Sequence, residues 1–366
     1  MASTLLDRFM RYVRCGSESH NEKAFCELIE HELHQLSIPY ERQELGPEVV
    51  TNGWNILAKT KGKPHLKPLL LIFHMDTVAP GNNIEPYVEN GILQSRGSTI
   101  LGADGKLAIA LVLHSIEKQM ESGMRGRPLE LLFTVCQEMG LQGSKYADYS
   151  KIDSEEAVVI DHYVTGEILA RTPSVIQMNV ELIGREAHVI VDAASGINAL
   201  QSAAEIVSRL PLGRVNDNLN VNVSNFVSIS RTNIIPKYAR FDLEIRSFGS
   251  EQFERTIADV KRIIYDIAKQ SHCECKVNEN IMVHETFFDE NADMIERMKH
   301  VYDLAGIEMK IAKSFGYLDA SCTNNLGIRT IPVGISIHNT HSARECVYLE
   351  DLGVMERLTD AIITAF

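Results

Sequence analysis

The 366-residue chain has one tryptophan, no Pro/Gly/Ser-rich or low-complexity tract, and no apolar run near the ~18 residues of a membrane span. Lack of linker composition predicts order almost throughout, and lack of a long apolar run argues against a spanning helix. Positive charge is also scarce: 36 Lys and Arg face 49 Asp and Glu, a formal net charge of −13. Proteins that neutralise phosphates need a basic face, so neither nucleic acid nor an anionic membrane is an expected partner. The opening MASTLLDRFMRYVRCGS carries charges every few residues and reads as an amphipathic helix, not as an export leader. Cysteine is sparse and scattered: Cys15, Cys26, Cys136, Cys273, Cys275, Cys322 and Cys346 are odd in number and suggest no disulfide framework, which fits a reduced cytoplasm. One residue between Cys273 and Cys275 makes a poor chelate.

What is present is ordinary globular material, 45% hydrophobic and 23% charged, long enough for two domains or for one with a large insertion. Residues 22–36 put Phe25, Leu28, Ile29, Leu33 and Leu36 on one helical face. The short apolar runs 54–60, 68–73, 129–135 and 157–160 read as strands covered on both faces, with a helix over 105–123. Strands alternating with helices predict a parallel or mixed sheet flanked by helices. The pattern changes near residue 172, where SVIQMNVELIG sets Val175, Gln177, Asn179 and Glu181 opposite Ile176, Met178, Val180 and Leu182, a strand with one wet face. Two helices and three more strands follow in β-α-β-β-α-β order, close to a ferredoxin-like module. From about residue 290 the α/β pattern returns. The expected organisation is an α/β domain over 1–171 and 285–366, interrupted by an inserted α+β domain over 172–284.

Acidic and imidazole groups recur just past the buried strands: His74 and Asp76, Glu138, Asp161, then His338 and His341, with Asp104 in GADGK at a helix start. A carboxylate there is stabilised by free backbone N–H groups. If the strands are parallel, these groups share one sheet edge. Two histidines and three carboxylates gathered there could bind two divalent metals, one carboxylate bridging. Taken singly, each Asp is as readily a turn or cap residue and each His a satisfied polar group.

The ordered set HMDTV, GADGK, QEMGLQG, VVIDH and THSARE resembles the di-zinc metallopeptidase superfamily of aminoacylases, carboxypeptidase G and peptidase T. RTPS, SGINALQSAAEIVSRLPLGR and RTNIIPKYARFDLEIRS are most similar to its peptidase T-like branch. The resemblance implies a zinc-exopeptidase-like domain with a ferredoxin-like lid that often forms a dimer. It implies His74 and Asp161 on one metal, Glu138 and His341 on the other, and Asp104 bridging, with zinc first and cobalt or manganese as other metals. It also implies that Asp76 orients the His74 ring, that His188 reaches the reacting carbonyl from a partner subunit, and that Asn233 and Arg246 line the substrate site. The substrates implied are short peptides or N-acyl amino acids.

Gln137 departs from this pattern, because the family carries a glutamate there as general base. An amide cannot take and return that proton. Three accounts stay open at this stage: a substitution introduced to inactivate the enzyme, a natural pseudoenzyme that binds metal and peptide without catalysis, or a neighbouring base such as His162. Val189 and Ile190 after His188, SISRTN before Asn233 and GYLDAS around Asp319 are further departures.

Overall fold

The computed structural model describes residues 4–123 and 126–366. The apolar runs form a nine-stranded mixed sheet, and two neighbouring inner strands, Leu69–His74 and Leu129–Thr134, are buried at every residue. Leu69–His74 lies parallel to both Leu129–Thr134 and Glu156–His162, and Arg329–Gly334 lies parallel to the latter. These four strands therefore end at one edge. Asn55–Lys59 runs antiparallel to Leu129–Thr134 and makes the sheet mixed. The helix Lys106–Ser122 is buried without interruption from Lys106 to Leu113, which explains why its apolar residues encircle it, and it stops at Gly123 in the left-handed conformation.

The chain divides into two compact units. The first runs to Arg171 and resumes over Phe287–Lys313 and Leu318–Phe366; the second is Thr172–Thr286 with Ser314–Tyr317. In the second, the strands lie in the order Gly213–Asn216, Leu219–Val227, Tyr238–Ser247, Ser174–Ile183, Glu274–Val283, all paired antiparallel. Apart from the short Gly213–Asn216 edge strand, that is the ferredoxin-like order. Ile176, Met178, Val180 and Leu182 join the core formed with helices Ala199–Arg209 and Ser250–Gln270, while Gln177 is exposed and Asn179 and Glu181 are half-buried. Val175, expected on the wet face, is buried at the strand's start.

A three-stranded sheet of Pro86–Glu89, Ile92–Ser95 and Cys346–Tyr348 was not anticipated from the apolar pattern, since its strands are short and half-exposed. Its hairpin signal is nonetheless present as Asn90-Gly91, both at positive φ (50° and 77°), the pairing a tight two-residue turn selects.

The helix Leu5–Arg14 is joined to Lys23–Gln35 through buried Glu32, which accepts from Arg8 Nε (3.2 Å), Arg11 Nη2 (2.5 Å) and the Tyr12 hydroxyl (3.0 Å). Removing one member of a buried ionic network leaves uncompensated charge. Glu32→Ala should therefore lower the unfolding free energy by about 3 kcal/mol in urea melts of the metal-free chain. A loss below about 1 kcal/mol would show that Glu117, 2.7 Å from Arg8 Nη2, suffices alone.

Candidate metal centre

His74, the last residue of its strand, is 2% exposed and packs between acids. Its Nε2 lies 3.3 Å from Asp104 Oδ1 and 3.4 Å from Asp161 Oδ1. On the other side of Asp104, His341 Nε2 lies 2.9 Å from Asp104 Oδ2 and 2.9 Å from Glu138 Oε1. Asp104 thus turns one oxygen toward each imidazole. Donor atoms of His74, Asp104 and Glu138 all fall within 4.8 Å of one another. Asp104, Glu138 and His341 come from loops and His74 and Asp161 from the ends of two strands, and the parallel strands bring them to one edge, the region where open α/β sheets place ligands.

Buried carboxylates hold the loops that carry the candidate ligands. Glu345, four residues after His341, accepts four consecutive backbone N–H groups, those of Leu101, Gly102, Ala103 and Asp104, at 2.8–3.1 Å. Asp76 accepts the N–H groups of Gln137 (2.9 Å) and Glu138 (3.1 Å) and the Ser19 hydroxyl (2.7 Å). Glu22 accepts the N–H of Cys136 at 3.1 Å. Asp76 also faces His74, but the nearest acceptor to His74 Nδ1 is the Asp76 backbone oxygen at 3.0 Å, with its carboxylate at 3.5 Å. The Asp76 carboxylate chiefly fixes the Gln137–Glu138 corner. Cys136, at φ 51°, turns the chain out of the sheet there.

Sequence reasoning missed Glu345, Glu22 and Tyr163, whose hydroxyl donates to Asp104 Oδ2 at 3.1 Å. Glu345 was visible within THSARE, but no spacing rule says that a carboxylate will cradle a distant loop. Gln137 Nε2 donates to Asp161 Oδ2 at 3.0 Å. His162 is engaged elsewhere, with Nε2 2.8 Å from Glu167 Oε2. His338 packs on Tyr348 and stays outside the ligand cluster. In the second unit, His188 and Asn233 are neighbours, since Val189 N donates to Asn233 O (3.1 Å). Arg246 lies on another strand, with Nη1 donating to Phe315 O at 2.8 Å.

The imidazoles and carboxylates of the cluster shift one another's proton affinity. Hydrogen bonding to Asp104, then to Glu138, pushes His341 up to about 10. Burial opposes the charge on His74, but Asp104, Asp161 and Asp76 outweigh it and hold that imidazole well above its usual range. Burial would likewise raise Asp104; His341 and His74 reverse this and keep its carboxyl well below the ordinary carboxylate range. Asp161, dominated by burial, rises to about 7.

Comparison with known proteins bears on the fold that carries this cluster. The peptidase dimerisation domain of the M20 peptidases matches residues 172–272. An uncharacterised Bacillus subtilis protein, YqjE, is 26% identical over 360 residues, covering 98% of this chain and 97% of its own. The structure of aminopeptidase PepT from Bacillus cereus superposes with a TM-score of 0.89 at 27% identity, covering 98% of this chain and 97% of that one. A Staphylococcus aureus tripeptidase gives 0.92 at 24% identity over 98% and 96%, a likeness of fold. Fold and comparisons together define a metallopeptidase-class hydrolase scaffold. Within that class the chain is most similar to the peptidase T-like branch of the M20 superfamily.

Gly105, at φ 77°, is where the Asp104 loop passes His74: a Cβ there would lie 2.5 Å from His74 O and 2.8 Å from its ring atoms. Gly105→Ala should displace the His74 ring and weaken Zn²⁺ affinity by about 10-fold or more in chelator competition. Unchanged affinity would mean that His74 does not contribute to metal binding.

Proposed function

We propose that the chain is built as a metal-dependent hydrolase of peptide or amide bonds in short peptides or N-acyl amino acids, tripeptide aminopeptidase-like in class. The observation that carries this is the convergence of His74, Asp104, Glu138, Asp161 and His341, with Asp104 facing both imidazoles. The mixed N/O donor set fits two divalent ions, His74 and Asp161 holding one, Glu138 and His341 the other, and Asp104 bridging. Zinc suits it first, with cobalt or manganese as alternatives. Ions bound there would polarise the scissile carbonyl and activate water.

The chain's own residues then divide the remaining work. Asp76 fixes the corner that presents Gln137 and Glu138. His188, Asn233 and Arg246 are assigned to the substrate, His188 acting across a homodimer formed through the 172–272 domain. Cytoplasmic residence is supported by seven free cysteines, and no helix among the described residues is long and apolar enough to cross a membrane. Gln137 is the weak point of the reading, because its amide cannot shuttle a proton, and loss of a positioned base costs about 10²–10⁴ in rate. The second reading, a pseudoenzyme that holds metal and peptide without turnover, is favoured by the Gln137 amide being bonded to Asp161. His162 is a poor substitute base with its ring on Glu167.

Gln137→Glu, assayed on tripeptides with added Zn²⁺, should raise kcat by about 10² or more. No gain in a metal-loaded variant would remove the hydrolase reading.

Metal binding should also depend steeply on pH. The His74 and His341 protons are held above the ordinary imidazole range and must leave before an ion enters. Zn²⁺ affinity should therefore rise between about pH 6.5 and 10, and acidification should release the ions. A flat profile from pH 6 to 9 in chelator competition would contradict the ligand assignment of His341.

A further inference from the structure

We infer that Tyr163 is a positioning residue of the metal centre, its hydroxyl holding the Asp104 carboxylate as a bridge between two ion positions. A carboxylate without that tether can turn both oxygens onto one ion. The inference rests on the metal-centre reading above and adds what keeps the bridge in place. Asp104 Oδ1 faces His74 Nε2 at 3.3 Å, whereas Oδ2 is contacted twice, by His341 Nε2 at 2.9 Å and by the Tyr163 hydroxyl at 3.1 Å. A carboxylate oxygen has two lone pairs. With Tyr163 on one, Oδ2 keeps a single site, the one turned toward His341, which in turn meets Glu138.

The other contacts on Asp104 do not do this. Glu345 accepts its backbone N–H and so fixes where the residue sits, but leaves the carboxylate free to rotate. His74 and His341 are themselves candidate ligands, so their contacts with Asp104 give way when ions enter. Among the described residues, Tyr163 is the one donor to this carboxylate that is not a candidate ligand. Its ring is braced for that task. It packs against the main core of the first unit and stacks on His162, with 6.3 Å between centroids, and His162 Nε2 lies 2.8 Å from Glu167 Oε2. A half-buried tyrosine hydroxyl can turn to water or to a backbone oxygen; this one is given to the carboxylate that both imidazoles share.

Tyr163→Phe keeps the ring and removes only this donor. The full chain and the variant are loaded with Zn²⁺, their ions are counted by mass spectrometry, and the two successive dissociation constants are read by chelator competition. In the variant one ion should be held about 10-fold or more weakly, the size typical of losing a group that orients a metal ligand. The other should be held equally or more tightly, because Asp104 can then give it both oxygens. A general loosening of the fold would instead weaken both ions together. Two unchanged constants, or two that fall by similar factors, overturn the inference and leave the metal-centre reading in place. An unsubstituted chain that takes up fewer than two ions removes that reading, and this inference with it.

Discussion

The site depends on buried carboxylates that grip backbone rather than side chains. Asp104 and Glu138 sit on loops, and a buried loop is tolerable only if its N–H groups find acceptors. Glu345 supplies acceptors for four consecutive N–H groups ending at Asp104, and Asp76 and Glu22 between them supply three ending at Glu138. Burying a carboxylate is costly unless such donors surround it. Each group therefore satisfies the other. Because Glu345 follows His341 by four residues, the same contact also ties the His341 loop to the Asp104 loop, so segments 241 residues apart share one anchor.

This division of labour explains what was legible in the sequence. Strands such as Leu69–His74 declare themselves because a strand buried on both faces must be apolar throughout. The candidate ligands declare themselves as imidazole and carboxylate at or just past the ends of such strands. The 174–183 strand was read correctly from its alternation, apart from Val175, because alternation records which face is wet but not where a sheet end is covered. The hairpin at Asn90-Gly91 was overlooked because its strands are too short and too exposed to show a period, although its turn residues carried the signal.

The framing groups were illegible for a different reason. Glu345, Glu22 and Ser19 act through contacts spanning tens to hundreds of residues, and nothing in their local sequence distinguishes them from surface polar residues. Asp76 shows the same limit in milder form. HxD correctly brought it next to His74, yet the carboxylate's principal partners are the N–H groups of Gln137 and Glu138, 61 and 62 residues away. Tyr163 follows Asp161 by two residues and still could not be placed, since whether its hydroxyl meets Asp104 depends on how the chain turns after Glu156–His162.

Gln137 brings the chemistry and the framework together. Its backbone is held as firmly as a catalytic residue's would be, by Asp76 through an N–H bond of 2.9 Å, in a turn whose entry is fixed by Cys136 at positive φ. That fixation costs conformational freedom and backbone strain, which a protein retains where geometry matters. The framework thus remains built to present a side chain at position 137 to the ligand cluster, and the side chain presented is a donor instead of a base. The five gathered side chains, their loop anchors and the place on the sheet edge are all present beside an amide that donates to Asp161.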